Sequence, residues 1–399
     1  MSLTRHTVCF VLPWSFDGAG GVSRVVNNLM REFASHPELG IDPLALQLDW
    51  SSKTEDKLAS GIRRGYSRLH SIYDEKRPLL AFLTFLAHLP RELNALRQFA
   101  KANNIASFDI HFPDLQAFAF ALLRLLGLTQ TEIVLSVHGS DIRAAHAQGR
   151  WAKLLWRFML RHSTIVVACS EGLREEVLFL ERRTSTAVVY NGIDIPLFAR
   201  HSDPNFHWPP ELQGRRLIIK VAAFEYRKGH DILLPAFEQV AAEFNDVALL
   251  LLGHSGDAMP YVNSWIRSKG MEKRVFIFED VPHAQLYDFL SHSDVFVLAT
   301  RWRKCQMGEG FALALLEAGA AQLPVVATAS CGIEEIIANG ENGLAVPLEN
   351  ASALANAISS LLSNPERARE MAASLHSLVQ HKFTWLQTAE EYRRVFARL

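Results

Sequence analysis

The chain has 399 residues, of which 49% are hydrophobic and 21% charged, so it can build two buried cores of ordinary size. Its formal net charge is −1, which gives no reason to expect a nucleic-acid partner. The four cysteines (Cys9, Cys169, Cys305 and Cys331) lack CxxC spacing, and three lie in or beside apolar runs. This usage favours reduced, mostly buried thiols in a cytoplasmic protein over disulfides or a metal site.

Short apolar runs alternate with helical patterns along nearly the whole chain. The strands predicted in the first half are VCFVLP, LALQLDW, FDIHF, EIVLSVH, TIVVAC and AVVYN. A polar, Pro-rich stretch that begins near residue 195 is typical of a linker. The strands predicted after it are LIIKVAA, VALLLLG, RVFIFE, DVFVLA, PVVATA and GLAVP.

These strands are apolar without strict alternation and are joined by helices, which indicates parallel sheets covered on both faces. We therefore predict an α/β protein with two Rossmann-like domains facing each other across a cleft. The first domain would comprise residues 1–195 and the second residues 196–382. Open α/β sheets bind ligands at the carboxyl ends of their strands, so we expect the active site in the cleft.

A glycine-rich segment, SFDGAGGVSRVV, follows the first predicted strand and precedes the first helix. Gly18 and Gly20 match the start of a dinucleotide fingerprint, but Ser23 occupies the third glycine position. Gly20 and Gly21 would let backbone N–H groups approach an anion at the start of the helix. A flexible loop with no ligand is the alternative.

The second half contains two further segments suited to an anion. Arg227 and Lys228 follow a predicted strand, where a cation pair could hold phosphate, although a solvated turn would look the same. In the segment GEGF, Gly310 removes side-chain bulk. The N–H groups of Phe311 and Ala312 would lack intrahelical partners there.

The same segment raises a question about two carboxylates. Glu317 follows the apolar run from Phe311 to Leu316, and Glu309 lies at the start of this predicted helix. A helix that is apolar on all sides is normally buried, and a buried carboxylate needs partners. Glu317 therefore lies either on a thin solvent-facing strip or against a polar ligand.

Seven segments, taken in order, resemble the retaining glycosyltransferases of family 4, which have the two-domain GT-B fold. They are GAGGVSRVV (18–26), SVHGSD (136–141), CSEGLREEV (169–177), VVYNGID (188–194), RKGHDILLPAF (227–237), GEGFALALLEAGAAQLPVVAT (308–328) and GIEEIIANGENGLAVP (332–347). The most specific of them carries the Glu-x7-Glu pattern of Glu309 and Glu317. The resemblance spans nearly the whole chain, and it implies a helix over residues 383–399 that crosses back to the first domain.

The resemblance also implies a nucleotide-diphospho-sugar donor, linked to UDP or GDP, bound by the second domain. Glu317 would accept hydrogen bonds from the ribose hydroxyls, and Glu309 would contact the hydroxyls of the transferred sugar. Lys228 and Arg227 would neutralise the diphosphate, on which negative charge grows as the glycosidic bond breaks. His138 would contact the sugar or its phosphate.

The N–H groups of Gly20 and Gly21 would assist at the diphosphate. Members of the family usually carry an arginine about five residues before the lysine, and here that position is Ala223. Either Arg227 or a basic residue of the loop from Arg301 to Lys304 would have to substitute. If none does, the chain is a catalytically weak, sugar- or nucleotide-binding relative.

No metal and no cofactor are expected, because the chain lacks an Asp-x-Asp pair and its histidines lack ligand spacing. A nucleotide-sugar epimerase or oxidoreductase on a similar double fold is a further alternative. An epimerase would turn over donor without acceptor. An oxidoreductase would need a nicotinamide, for which the third fingerprint glycine is missing.

The acceptor would bind to the first domain and be a saccharide or a lipid-linked sugar, in the synthesis of a bacterial surface polysaccharide or glycolipid. Residues 50–104 are basic and contain the apolar run LLAFLTFLAHL (79–89), which is too short to span a membrane. Together they could lie on an anionic membrane surface. We therefore expect a cytoplasmic protein, with peripheral contact to the inner face of the membrane as an option.

Overall fold

A computed structural model of the chain describes residues 5–18, 20–49, 55–195, 206–303, 305–330 and 332–399. The chain divides into two compact units. Unit 1 comprises Met1–Gly192 together with Trp385–Leu399, and unit 2 comprises Ile193–Thr384. The polar stretch predicted as a linker lies at the start of unit 2, and residues 196–205 of it lie outside the described residues.

Unit 1 is built on an eight-stranded sheet. Its strands are β1 (His6–Leu12), β2 (Ile41–Leu48), β3 (Glu55–Lys57), β4 (Arg63–Ser67), β5 (Ile105–His111), β6 (Glu132–Val137), β7 (Ile165–Ala168) and β8 (Thr186–Val188). The spatial order is β3-β4-β2-β1-β5-β6-β7-β8, and every pair is parallel except β3 with β4. The six strands predicted for this half are confirmed.

The hairpin of β3 and β4 is the part of this sheet that the apolar pattern did not predict. Its residues are mostly charged, and Arg64 holds the two strands together through Asp56, with its Nε 2.7 Å from Oδ1. The Tyr66 hydroxyl donates to the same carboxylate at 2.8 Å. An edge hairpin built on an ion pair has no hydrophobic periodicity, so the sequence pattern does not predict it.

Helices cover the sheet of unit 1. In the described residues they are α1 (Gly21–Ser35), α2 (Pro78–Ala102), α3 (Phe118–Leu125), α4 (Ser140–Ala147), α5 (Arg150–His162), α6 (Glu171–Leu180) and, from the chain terminus, α13 (Trp385–Phe396). The Phe396 ring lies 6.5 Å from the rings of both Phe10 and Phe33, and Tyr392 joins the same core cluster. The predicted return of the C-terminal helix to the first domain is confirmed.

Unit 2 contains a six-stranded, wholly parallel sheet in the order β11-β10-β9-β12-β13-β14. Its strands are β9 (Arg216–Val221), β10 (Val247–Gly253), β11 (Val275–Glu279), β12 (Val295–Leu298), β13 (Val325–Thr328) and β14 (Leu344–Val346). Its helices among the described residues are α7 (His230–Glu243), α8 (Met259–Ser268), α9 (His283–Ser291), α10 (Leu313–Ala320), α11 (Ala351–Ser363) and α12 (Pro365–Lys382). All six predicted strands are present.

The connections of each sheet reverse direction at one point. In unit 1, β1 and β5 are neighbours in the sheet. The chain continues from β1 to β2 on one side of this pair, and from β5 to β6 on the opposite side. In unit 2 the same reversal lies between β9 and β12. Loops that follow strands at such a reversal diverge and leave a crevice, which is where open α/β sheets bind ligands. The segments SFDGAGG, RKG and GEGF all follow one of these strands.

None of the helices among the described residues combines the length and the hydropathy that a membrane span requires.

Candidate functional site

The centre of the site in unit 2 is an ion pair between Lys228 and Glu309. The Lys228 Nζ lies 2.5 Å from the Glu309 Oε1, and the side chains are 14% and 12% exposed. The Thr300 hydroxyl donates to the same carboxylate oxygen at 3.4 Å. Lys228 follows β9 and Glu309 follows β12, so the reversal of the sheet joins two groups separated by 81 positions.

Gly229 is what allows the turn after β9 to approach the end of β12. It caps α7 with a left-handed backbone (φ +64°). A Cβ at this position would lie only 1.8 Å from the carbonyl oxygen of Ala299, which follows β12. A glycine is therefore required here both by conformation and by space. The short 3-10 turn Tyr226–Lys228 is thereby held against the loop that carries Glu309.

A second lysine, Lys220, lies beneath this pair. Its side chain is fully buried, and its Nζ donates to the main-chain oxygen of Lys228 at 2.5 Å. Burial, reinforced by the charge of Lys228, lowers the pKa of Lys220 to about 7. In the sequence, Lys220 is one residue of the predicted strand LIIKVAA. A lysine within an otherwise apolar, buried strand was the available signal, because lysine is almost never buried without a partner.

His230 belongs to the same cluster as Lys220 and Lys228. It is buried, and its ring stacks on Phe224 with centroids 4.8 Å apart. Burial and the neighbouring charges of Lys220 and Lys228 lower the pKa of His230 far below its usual value, so the ring is neutral. The cluster therefore concentrates its positive charge on the two lysines.

Two arginines predicted as substitutes for the missing one are engaged elsewhere. The Arg227 Nε lies 2.5 Å from a carboxylate oxygen of Glu225, and both side chains are well exposed. Arg301 forms a two-point ion pair with Asp231, at 2.6 and 2.5 Å, and also donates to the main-chain oxygen of Tyr226. Arg301 thus braces the turn Tyr226–Lys228. Lys304 lies outside the described residues.

The structure answers the question raised by Glu317. This residue is only 5% exposed, so a solvent-facing strip is excluded. Its Oε1 lies 2.9 Å from the Nε2 of His283, the first residue of α9. A Cβ on Gly319 would lie 2.9 Å from α12, which shows how closely this helix is packed. The buried carboxylate has a polar partner, as its environment requires, and no sequence signal pointed to His283.

The helix that carries Glu317 begins later than the sequence indicated. It starts at Leu313, with Ala312 as its N-cap, so Gly310 and Phe311 precede the helix. Phe311 is buried against Phe383, with ring centroids 5.6 Å apart. Phe311 is therefore a packed residue of the loop that precedes the first helical turn.

The loop that carries His138 in unit 1 is fixed by Asp141. The buried Asp141 carboxylate accepts backbone N–H groups of His138 at 2.9 Å, of Gly139 at 2.7 Å and of Ile142 at 2.9 Å. Burial raises the pKa of Asp141 to about 6, in spite of these three donors. His138 follows β6 and is partly exposed, so its ring is presented at the carboxyl edge of the sheet.

Gly20 and Gly21 open α1, as the sequence predicts. Gly20 is the N-cap in an extended conformation, and a Cβ at either position would meet nothing within 4 Å. Internal packing therefore does not require these glycines. Ser23, at the third fingerprint position, accepts a hydrogen bond from the Trp14 Nε1 at 2.9 Å.

Among the described residues, no group of three or more His, Cys, Asp or Glu side chains is positioned to hold a metal ion.

Two family models match the chain. The one described as Glycosyltransferase Family 4 matches residues 19–196, and the one described as Glycosyl transferases group 1 matches residues 203–375. Together they cover most of both units. The chain therefore belongs to the glycosyltransferases of family 4, and its two α/β units are those of the GT-B fold.

Individual relatives agree with this assignment. The uncharacterized glycosyltransferase MJ1607 of Methanocaldococcus jannaschii is 27% identical over 58% of this chain and 59% of its own length. The phosphatidyl-myo-inositol mannosyltransferase of Mycobacterium leprae is 29% identical over 54% of this chain and 55% of its own. The chain thus spans less than two thirds of these relatives. The structure of Anabaena Alr3699/HepE in complex with UDP superposes with a TM-score of 0.75 at 16% identity, covering 98% of this chain and all of that one.

Proposed function

We propose that this chain is a retaining hexosyltransferase that needs no metal ion. It would move a hexose from a UDP- or GDP-linked donor to a saccharide or lipid-linked acceptor, in the synthesis of a bacterial surface polysaccharide or glycolipid. The observation that carries the proposal is the ion pair of Lys228 and Glu309 at the reversal point of the second sheet. It sets a cation for the leaving diphosphate beside an acceptor for sugar hydroxyls.

In this mechanism the ion pair separates when the donor binds. The Lys228 ammonium turns to the diphosphate, where negative charge grows as the bond from the anomeric carbon to phosphate oxygen breaks. Glu309, released from the lysine, accepts hydrogen bonds from the hydroxyls of the transferred sugar. The main-chain oxygen of Lys228 continues to accept a hydrogen bond from the Lys220 Nζ, so the backbone keeps its position while the side chain moves.

The remaining donor contacts follow the same chemistry. Glu317 accepts from the two ribose hydroxyls, and a hydrogen bond to a charged acceptor contributes about 1.5–3 kcal/mol. Backbone N–H groups at Gly20, Gly21, Gly310, Phe311 and Ala312 supply further donors, and Arg227 a second cation. The departing phosphate oxygen assists deprotonation of the acceptor hydroxyl on the same face of the sugar, so no protein nucleophile is assigned.

The experiment that tests this function begins with a thermal-shift panel of UDP, GDP, ADP and their sugar conjugates, each with and without EDTA. UDP is the first choice because the structurally similar Anabaena Alr3699/HepE was solved in complex with UDP. A ligand at a hundred times its Kd stabilises the folded state by about 2.7 kcal/mol. We expect one nucleotide to shift the melting temperature with no effect of EDTA. The product of the matching sugar nucleotide should keep the anomeric configuration of the donor, measured by NMR; an inverted product contradicts the proposal.

Ala223 favours a second candidate, a catalytically weak relative that binds a sugar nucleotide without rapid turnover. The family's usual arginine is absent there, and Arg227 and Arg301 are both paired with carboxylates. This candidate predicts donor binding with little transfer. Introducing the cation by Ala223→Arg would then raise turnover, whereas in a fully competent enzyme it would not.

We also propose that the first turns of α2 lie on an anionic membrane surface, where a lipid-linked acceptor would be found. Leu79, Leu80 and Leu83 are 69%, 55% and 54% exposed, which is unusual for large apolar side chains on one helix end. Lys76 and Arg77 precede them and are exposed as well. Apolar side chains beside cations suit the boundary between acyl chains and anionic head groups.

This contact predicts that the triple substitution of Leu79, Leu80 and Leu83 by Ser abolishes binding to liposomes containing phosphatidylglycerol. A matched control replaces three exposed apolar residues on other helices, Phe179, Tyr261 and Leu386, by Ser. Cosedimentation measures both. Equal loss in the two triple variants, or no binding by the wild type, would count against a membrane role for α2.

A further inference from the structure

A chain of buried hydrogen bonds runs through unit 1 and ends at His138. It begins at Tyr392 of α13, whose hydroxyl donates to the Ser136 Oγ at 3.1 Å. The Ser136 hydroxyl donates to the Asp109 Oδ1 at 2.6 Å, and the Nε2 of His111 lies 3.1 Å from the Asp109 Oδ2. The Nδ1 of His111 lies 3.0 Å from the Nε2 of His138. Asp109, His111, Ser136 and Tyr392 are all buried.

The direction of every bond follows from Asp109. A carboxylate only accepts hydrogen bonds, so the proton between Asp109 and His111 belongs to the His111 Nε2. When the His111 ring carries only this one proton, its Nδ1 is an acceptor. The proton of the next bond must therefore reside on the His138 Nε2, and the His138 Nδ1 is left with a lone pair.

The surroundings of His138 disfavour its protonated form. Burial and the adjacent His111 ring hold the pKa of His138 well below its usual value. The ring of Phe10 stacks on His111 from one side with centroids 5.9 Å apart. The ionisable neighbours are Cys9 on β1 and Tyr392, whose pKa values are raised by burial and by Asp109, so neither supplies a competing charge. Asp141 contacts only the backbone of His138.

We propose that Asp109 and His111 are positioning residues that fix His138 as the Nε2–H tautomer, with its Nδ1 lone pair directed at a ligand hydroxyl. Within the described part of the chain, the His138 Nδ1 makes no hydrogen bond, and the residue is partly exposed. The proposal rests on the proposed function only in taking that hydroxyl to be one of the donor sugar. The site thereby demands a hydrogen-bond donor from the ligand, since a lone pair cannot pair with an acceptor.

Substituting Asp109→Asn should reverse the whole chain. The amide oxygen can still accept from Ser136, while the amide nitrogen donates to the His111 Nε2. His111 must then carry its proton on Nδ1 and donate to the His138 Nε2, which moves the His138 proton to Nδ1. The His138 Nδ1, which is the atom directed at the ligand, would change from a hydrogen-bond acceptor to a donor.

The test is a long-range proton–nitrogen NMR experiment on protein labelled with 15N-histidine, with His138→Asn used to assign the signals. In the wild type we expect the proton on the His138 Nε2 and a 15N–15N coupling across the hydrogen bond to the His111 Nδ1. In Asp109→Asn the proton should lie on the His138 Nδ1. A wild-type proton on the His138 Nδ1, or an unchanged tautomer in the folded variant, overturns the proposal. If the variant does not fold, the wild-type proton position and coupling still decide, because a proton held by His111 in that bond would also refute it.

Binding to UDP and to UDP-glucose, measured by calorimetry, adds a functional readout. Asp109→Asn should leave UDP affinity unchanged and weaken UDP-glucose about tenfold, the equivalent of one hydrogen bond. Tyr392→Phe is the matched control, because it removes the far end of the chain without changing the acceptor at Asp109. If neither ligand binds to the wild type, the UDP-linked form of the proposed function fails, and the NMR result stands independently. Equal weakening of both ligands would refute a role for the tautomer in sugar contact.

Discussion

The two units present polar groups of opposite character at the carboxyl ends of their strands. Unit 2 relies on charge, with Lys228, Lys220 and Glu309 within one cluster. Unit 1 relies on hydrogen-bonding groups of fixed direction, with two imidazoles aligned by a single buried carboxylate. A charged cluster suits a diphosphate, whose charge increases during the reaction, whereas hydrogen-bonding groups of fixed direction suit sugar hydroxyls. The difference indicates that the two units serve different parts of the ligand, and substitutions in each unit can test this separately.

The largest effect should come from breaking the charged cluster at Lys228. We expect Lys228→Gln to lower turnover about 100- to 1,000-fold, the loss typical when one group that stabilises the leaving charge is removed. The melting temperature should change little, because the backbone of the turn is held by Gly229 and Arg301. Lys269→Gln is the control, since Lys269 forms an exposed pair with Glu238. A Lys228→Gln enzyme with full activity would remove the assigned role of this lysine.

The next effect concerns nucleotide binding at the other end of the donor. We expect Glu317→Gln to raise the Kd of the nucleotide about 10- to 100-fold, equivalent to one charge-assisted hydrogen bond. Turnover at saturating donor should fall less than in the lysine variant. Calorimetric titration measures the Kd, with the exposed Glu334→Gln as control. Unchanged affinity would exclude Glu317 from ribose recognition.

The smallest effect, taken over one pH unit, is a pH dependence of stability that arises from Lys220. Its folded pKa of about 7 lies below its ordinary value of 10.5. Between those pH values the unfolded chain binds one proton more than the folded chain, so the free energy of unfolding rises with pH. The contribution approaches about 1.4 kcal/mol per pH unit.

Lys220→Met should lack this contribution and be relatively more stable at pH 7 than at pH 9, compared with the wild type. Chemical denaturation at several pH values measures the difference, and Lys273→Met controls for the loss of a lysine charge. Parallel stability curves for wild type and Lys220→Met would show that the burial of Lys220 does not perturb its protonation.

Most of the architecture followed from patterns along the chain. Twelve of the strands gave apolar runs, and the helices between them made parallel sheets the natural interpretation. The motifs Glu-x7-Glu and RKG were recognised because they are local. The hairpin of β3 and β4 was not predicted, because it is held by the pairing of Arg64 with Asp56 and has no apolar periodicity.

The site was predicted only in part. Lys228, Glu309, Glu317 and His138 were selected from motifs, and the structure places each at the carboxyl end of its sheet or on the helix behind it. The partners of these residues were missed. The sequence pattern placed Asp109 and His111 in the strand FDIHF and assigned them no further role. Two polar residues on the same face of a buried strand nevertheless indicate a buried polar contact.

The sequence by itself determined most of the elements, the family and the chemical types of the site residues, because each of these depends on neighbours within a few positions. Only the tertiary structure decided which groups share a proton or a charge. His283 reaches Glu317 across 34 positions, and Tyr392 reaches Ser136 across 256. Contacts of that kind depend on strand order and on the return of the last helix, and the order of residues along the chain does not specify them individually.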